Sequence, residues 1–137
     1  MFGSIVEWWR RRREARLEAL MFERKVIVSF DAARVSVNYP GEALRSIAWS
    51  EVERVAIETN DSGPWGADVW WLLEGRDTRV AYPQGATGDL DLLDAYSEQF
   101  PEFDHSAVIQ AMGCATNARF VCWRRDGERS PTVETEP

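Results

Sequence analysis

The stretch VWWLLEGRDTRVAY, residues 69–82, decides the fold prediction. Its first half is apolar on both faces of a period-two pattern, with Val69, Trp71 and Leu73 on one face and Trp70 and Leu72 on the other. Glycine and charged residues in the middle predict a tight turn, and the second half alternates again. The sequence therefore predicts an antiparallel hairpin. Both faces of its first strand must be covered by other parts of the chain. The N-terminal helix or the last strand is the natural cover for the face with Trp70 and Leu72.

Alternating runs on both sides of this hairpin extend the prediction. Four shorter strands are predicted before it, at residues 25–30, 34–39, 44–49 and 54–59, with a single helical turn at 50–53. The period then becomes helical at 89–100 and 103–113, before a last strand at 118–123. This order predicts an α+β domain in which a curved antiparallel sheet, or partly open barrel, is capped by C-terminal helices.

The chain divides into three parts by composition. Residues 1–24 read as an amphipathic helix that begins with an S-x-x-E box at Ser4 and Glu7. Residues 25–124 form the single domain, and the polar residues 125–137 predict a disordered tail.

Charge is distributed unevenly over these parts. The net charge is −7, but residues 1–25 hold seven Lys or Arg against four acids, and residues 26–137 hold nine against nineteen. An acidic body repels phosphates, so nucleic acid is not an expected partner, whereas a basic protein is. Cys114 and Cys122 lack a metal-type spacing, and neither a metal nor a cofactor is expected. Free thiols and the lack of a signal peptide or long apolar run predict a cytoplasmic protein.

Two segments are candidate binding sites, and each has a structural alternative. The loop before the hairpin places Trp65 at its tip, stiffened by Pro64 and bordered by Asp61 and Asp68; the alternative folds Trp65 back onto the sheet edge. The stretch EWWRRRRE, residues 7–14, offers Trp8, Arg11 and Arg12. It can dock on the chain's own acidic body, contact a partner or a second copy, or bind an anionic membrane surface through residues 2–22.

Candidate catalytic residues are few. Asp104 could hold His105 as a general base, with Cys122 as the nucleophile. The structural alternative makes Asp104 a helix cap, His105 a surface residue and Cys122 a small core residue. No catalytic residue is assigned on this basis.

The order of elements resembles a bacterial pleckstrin-homology-like domain over residues 25–100. The resemblance is carried by SIAW (46–49), SEVERV (50–55), the hairpin 69–82 and the helix DLLDAYSEQF (91–100). Motifs such as DSGPWGADVWWLL and NARFVCW also resemble a group of small uncharacterised bacterial proteins. The resemblance implies a scaffold that binds lipids, peptides or proteins. The link between the first two strands, DAA, lacks the basic residues that lipid headgroups need.

We therefore expect a non-enzymatic protein-binding module, such as an adaptor or an immunity-type inhibitor of a basic partner. The second hypothesis is a peripheral membrane protein that uses the N-terminal helix. The third is a small hydrolase-like enzyme that uses Asp104, His105 and Cys122.

Overall fold

The computed structural model describes residues 21–60, 69–114, 116–126 and 133–135. Residues 21–25 are helical, which agrees with the end of the predicted N-terminal helix; the prediction for residues 1–20 lies outside the described residues.

The described elements follow the predicted order. The first three strands are β1 (Ile27–Phe30), β2 (Arg34–Asn38) and β3 (Arg45–Ala48). A 3-10 turn, Trp49–Glu51, leads to β4 (Arg54–Thr59), β5 (Val69–Glu74) and β6 (Arg79–Pro83). The helices are α1 (Asp89–Gln99) and α2 (His105–Met112), and the chain continues into β7 (Ala118–Arg124) and β8 (Val133–Thr135). The strand β8 lies within the segment 125–137, for which the polar composition predicted no regular structure.

The strands form two antiparallel sheets that do not close into a barrel. The first sheet has the order β1-β2-β3, and the second has the order β6-β5-β4-β7-β8. The α+β prediction is therefore confirmed, with two sheets in place of one curved sheet. The break falls at Trp49, where the chain turns instead of continuing β3: the Trp49 indole is buried and donates from Nε1 to the Asp31 carbonyl oxygen at 2.8 Å.

Aromatic side chains fill the space that the two sheets and α1 share. The Trp49 ring meets Tyr96 of α1 and Phe100, the C-cap of that helix, at centroid distances of 6.2 and 5.6 Å. Trp71 of β5 stacks on Tyr82 of β6 at 6.2 Å. The hydroxyls of Tyr82 and Tyr96 lie 2.6 Å apart and share one hydrogen bond in a fully buried position. Burial raises the pKa of both tyrosines, which keeps the pair neutral.

The segment before α1 is fixed to β1 by backbone hydrogen bonds. Val28 donates from its amide to the Thr87 carbonyl, and Thr87 donates to the Val26 carbonyl, both at 2.9 Å. Gly88 then turns the chain with φ of 93°, and a Cβ there would lie 2.4 Å from the Val28 carbonyl oxygen. Gly88 is also the N-cap of α1, and the left-handed conformation needed for the turn is open to glycine.

A substitution at Gly88 tests this close approach. We expect Gly88→Ala to lower the free energy of unfolding by about 3 kcal/mol or more, because the methyl group meets backbone as well as disfavouring the left-handed conformation. Gly41→Ala is the matched control: φ is 74°, nothing lies within 4 Å of its Cβ, and we expect a loss of about 1–2 kcal/mol. Urea unfolding followed by tryptophan fluorescence measures both, and equal losses would contradict the close approach.

Candidate functional site

The predicted partner-binding residues lie outside the described part of the chain. Trp8, Arg11 and Arg12 belong to residues 1–20, and the loop with Asp61, Pro64, Trp65 and Asp68 occupies residues 61–68. Binding through either segment remains a prediction. A candidate site among the described residues must therefore lie on other surfaces.

A charge network crosses the outer face of the five-stranded sheet. In the strand register, Leu72 pairs with Ala56, which pairs with Val121, and this apolar row is buried, with Leu72 only 2% exposed. Arg119 donates to Glu58 Oε1 at 3.0 Å on one side of the row and to Glu74 on the other side. The network is therefore a cover for the second face of β5, where the sequence predicted a helix or the last strand.

Glu74 is the centre of this network. Besides Arg119, it accepts a hydrogen bond from Arg54 Nε at 3.0 Å, and Arg79 Nε lies 3.8 Å from its other oxygen. Burial acts to raise the pKa of Glu74, but the hydrogen bonds and charges of Arg119 and Arg54 outweigh it and hold the pKa below its usual value. The cations and carboxylates of this face engage one another, so the network has a structural role.

The proposed catalytic set does not assemble into a reactive site. Asp104 caps α2 as expected, since its Oδ1 accepts from the Ala107 amide at 3.1 Å. The Cys122 thiol is 2% exposed, and burial raises its pKa to about 12, so it stays protonated at neutral pH. His105 Nε2 lies 3.1 Å from Ser97 Oγ on α1. These contacts favour the structural alternatives over a nucleophile and its base.

The second cysteine has a different environment. Cys114 is partly exposed beyond α2, and its sulfur lies 3.3 Å from the Thr116 hydroxyl and 3.6 Å from the Thr59 hydroxyl. Hydrogen bonds from Thr116, and then from Thr59, lower the pKa of this thiol. The two cysteines differ in their place along the chain, since Cys122 lies within β7 and Cys114 follows Gly113, the C-cap of α2. This position just after a helix is the sequence signal that separates Cys114 from a core residue.

An exposed ridge runs along the two helices. On α1, Leu90, Asp94 and Ser97 follow one another at helical spacing, and on α2, His105, Ile109 and Met112 do the same. The contact between Ser97 and His105 joins the two rows. We call these six residues the helical ridge. Leu90 and Ile109 are 70% and 73% exposed, which is unusual for large apolar side chains, and three polar residues (Asp94, Ser97 and His105) lie between them along the ridge.

The surroundings of the helical ridge carry charge of one sign. Residues 80–118 contain six carboxylates and neither lysine nor arginine. Asp91 and Glu98 lie beside the ridge on α1, and both are exposed. The composition predicts the acidic character of the body as a whole, but it does not place the acids next to exposed apolar side chains.

The described residues give no support to a metal site or to a membrane-spanning helix. Within these ranges, no group of three or more His, Cys, Asp or Glu side chains is placed to hold a metal ion. Likewise, no helix among the described residues is both long and apolar enough to cross a membrane. Comparisons with models of known protein families, with curated proteins and with solved structures found no match.

Removal of the Glu74 charge tests the network. We expect Glu74→Gln to lower the free energy of unfolding at pH 7 by about 1–3 kcal/mol, because Arg119 loses a charged partner at a site that is largely buried. The lowered pKa stabilises the fold above the usual value of 4.5, and this contribution disappears as pH falls through the folded-state pKa. The difference between the two proteins should therefore vanish in acid. Glu42→Gln, at an exposed pair with Arg45, is the control and should change stability little; equal effects would contradict a special role for Glu74.

Thiol reactivity tests the assignment of the two cysteines. In the folded protein, we expect Ellman's reagent to modify Cys114 and to leave Cys122 intact until the chain is unfolded. The rate should level off at a pH below 9.0, the ordinary thiol pKa, because the thiolate of Cys114 is stabilised. Cys114→Ser should remove the native-state reaction, and fast modification of this variant would contradict the assignment.

Proposed function

We propose that the protein is a non-enzymatic protein-binding module that holds a basic partner on the helical ridge. The observation that carries this proposal is the combination of exposed Leu90 and Ile109 with a stretch, residues 80–118, that has six acids and no lysine or arginine. Large aliphatic side chains that remain exposed provide apolar area for burial on association. Carboxylates around them select the sign of the partner's charge.

The proposed partner surface has two chemical features. It carries lysine or arginine to face Asp91, Asp94 and Glu98, and it carries apolar side chains to cover Ile109 and Met112. The exposed acids contribute mainly to the rate and selectivity of association, and the apolar contact contributes most of the affinity. Such a surface suits an adaptor, or an immunity-type inhibitor that masks a basic protein.

The finer fold assignment is part of the same proposal. A bacterial pleckstrin-homology-like scaffold is supported by two antiparallel sheets with α1 packed against Trp49 through Tyr96 and Phe100. A cytoplasmic location is in keeping with the free thiols of Cys114 and Cys122.

Neutralising the acids beside the ridge tests the proposal. The probe is an 18-residue helical peptide of lysine and leucine, with binding measured by fluorescence anisotropy. We expect the triple variant Asp91→Asn, Asp94→Asn, Glu98→Gln to bind it about tenfold more weakly than the natural chain, because each exposed charge contributes a fraction of a kcal/mol. Binding should also weaken as salt is added.

A second triple variant controls for overall charge. Glu42→Gln, Glu53→Gln and Asp77→Asn change the net charge from −7 to −4, as the first variant does, but lie away from the ridge. We expect this control to bind nearly as well as the natural chain. Ile109→Gln should weaken binding, whereas Leu44→Gln, at another exposed apolar residue, should not. Equal losses in the two triple variants would refute the proposal. If the protein floats with anionic vesicles and none of these substitutions changes the floated fraction, the result favours the membrane hypothesis.

A further inference from the structure

The chain enters the described domain beside the first turn of α1. The Arg24 carbonyl accepts a hydrogen bond from Thr87 Oγ1 at 2.7 Å, and a Cβ at Gly85 would lie 2.9 Å from Glu23 Oε2. Thr87 comes two residues before α1 begins at Asp89. Residues 23–24 therefore lie beside the loop that leads into α1, and Leu90, the first residue of the helical ridge, follows Thr87 by three positions. Met21 and Phe22 line a pocket with Pro40 and Glu42.

The residues that precede Met21 are long enough to reach along α1, which carries the first half of the ridge. Arg12 lies nine residues before Met21. Nine residues span roughly 14 Å as a helix and at most about 30 Å when extended. The helix α1 has eleven residues and is therefore about 16 Å long. A contact between the arginines and α1 of the same chain is thus within reach in either conformation.

The same segment has the chemistry that the ridge requires. Residues 1–20 hold five arginines and three glutamates, a net charge of +2, and Trp8 and Trp9 directly precede the run Arg10–Arg13. Tryptophan supplies a large apolar surface, and arginine can hydrogen-bond a carboxylate through two nitrogen atoms. The charge is opposite to that of residues 80–118.

We infer that the segment Trp8–Arg13 docks on the helical ridge of its own chain, so that a basic partner must displace it. This inference rests on the proposed function, because it concerns the same surface. A tether of this length gives an effective concentration on the order of millimolar, so even a weak contact is mostly occupied. The occupied ridge then admits only partners that bind it more tightly than the chain's own arginines do.

Zero-length cross-linking of the full chain tests the docking. Lys25 is the one lysine of the sequence, so Arg12→Lys adds a single new side-chain amine. After carbodiimide treatment, we expect amide links from position 12 to Asp91, Asp94 or Glu98 in the product of monomer mass. The yield should fall at least several-fold in high salt, or when Leu90→Gln and Ile109→Gln are added. Leu44→Gln should leave the yield unchanged.

The distribution of the links decides between docking within the chain and its alternatives. Links from position 12 that reach only carboxylates within residues 1–20, or only the outer face of the five-stranded sheet, overturn the inference. Links to α1 that occur only in a product of dimer mass also overturn it, since they assign the segment to a second copy.

Competition with the lysine–leucine peptide tests the consequence for binding. Replacing Arg10, Arg11, Arg12 and Arg13 by glutamine should raise the affinity of the full chain for the peptide about tenfold, because the internal competitor is lost. The control variant replaces four exposed arginines elsewhere, and both variants have a net charge of −11, four less than −7. The control substitutions are at Arg24, Arg34, Arg45 and Arg76.

Equal gains in the two variants, or no gain in the first, refute the competition. A different result would refute the proposed function: the peptide does not bind even after the four substitutions at residues 10–13. The cross-links still report whether the segment docks on the ridge.

Discussion

Two hydrogen bonds between Thr87 and β1 fix the relation between the parts of this protein. They join the loop before α1 to the three-stranded sheet, although that loop follows β6 of the five-stranded sheet. The bonds require the backbone to pass so close to Val28 that only glycine fits at position 88. Because α1 begins at the next residue, the same constraint directs Tyr96 and Phe100 into the core and leaves Leu90 and Asp94 exposed.

The protein separates its charges by element. Arginines on the outer sheet face are held by Glu58 and Glu74, and this network lies across an apolar row that would otherwise meet water. The helices, in contrast, lie within a stretch that has carboxylates and no side-chain cation from Lys or Arg, and they expose aliphatic side chains. The exposed carboxylates and aliphatic side chains of this surface contribute little to the stability of the fold. Under the proposed function, this composition serves association with positive charge, whether from a partner or from the chain's own first residues.

Period-two alternation was sufficient to predict β1, β2, β4, β5, β6 and β7 within a few residues. The prediction holds because one buried face imposes a repeat that neighbouring strands must match. Ala56 shows where this reasoning ends: it alternates with the core residues Val55 and Ile57, yet it is fully buried as well, since Arg119 reaches over its row to Glu74. The helical ridge was missed for a similar reason. Its two rows come from separate helices, and the contact of Ser97 with His105 joins them.

The sequence by itself determined the order of strands and helices, the aromatic core composition and the acidic character of the body. These follow from local periodicity and from counts of side chains, which do not depend on distant contacts. Only the tertiary structure decided that the strands form two sheets, that Cys122 is buried while Cys114 is accessible, and that Leu90 and Ile109 share one ridge. Each of these depends on contacts between residues far apart in the chain. Such contacts are selected by packing around Trp49 and Tyr96 and not by local pattern.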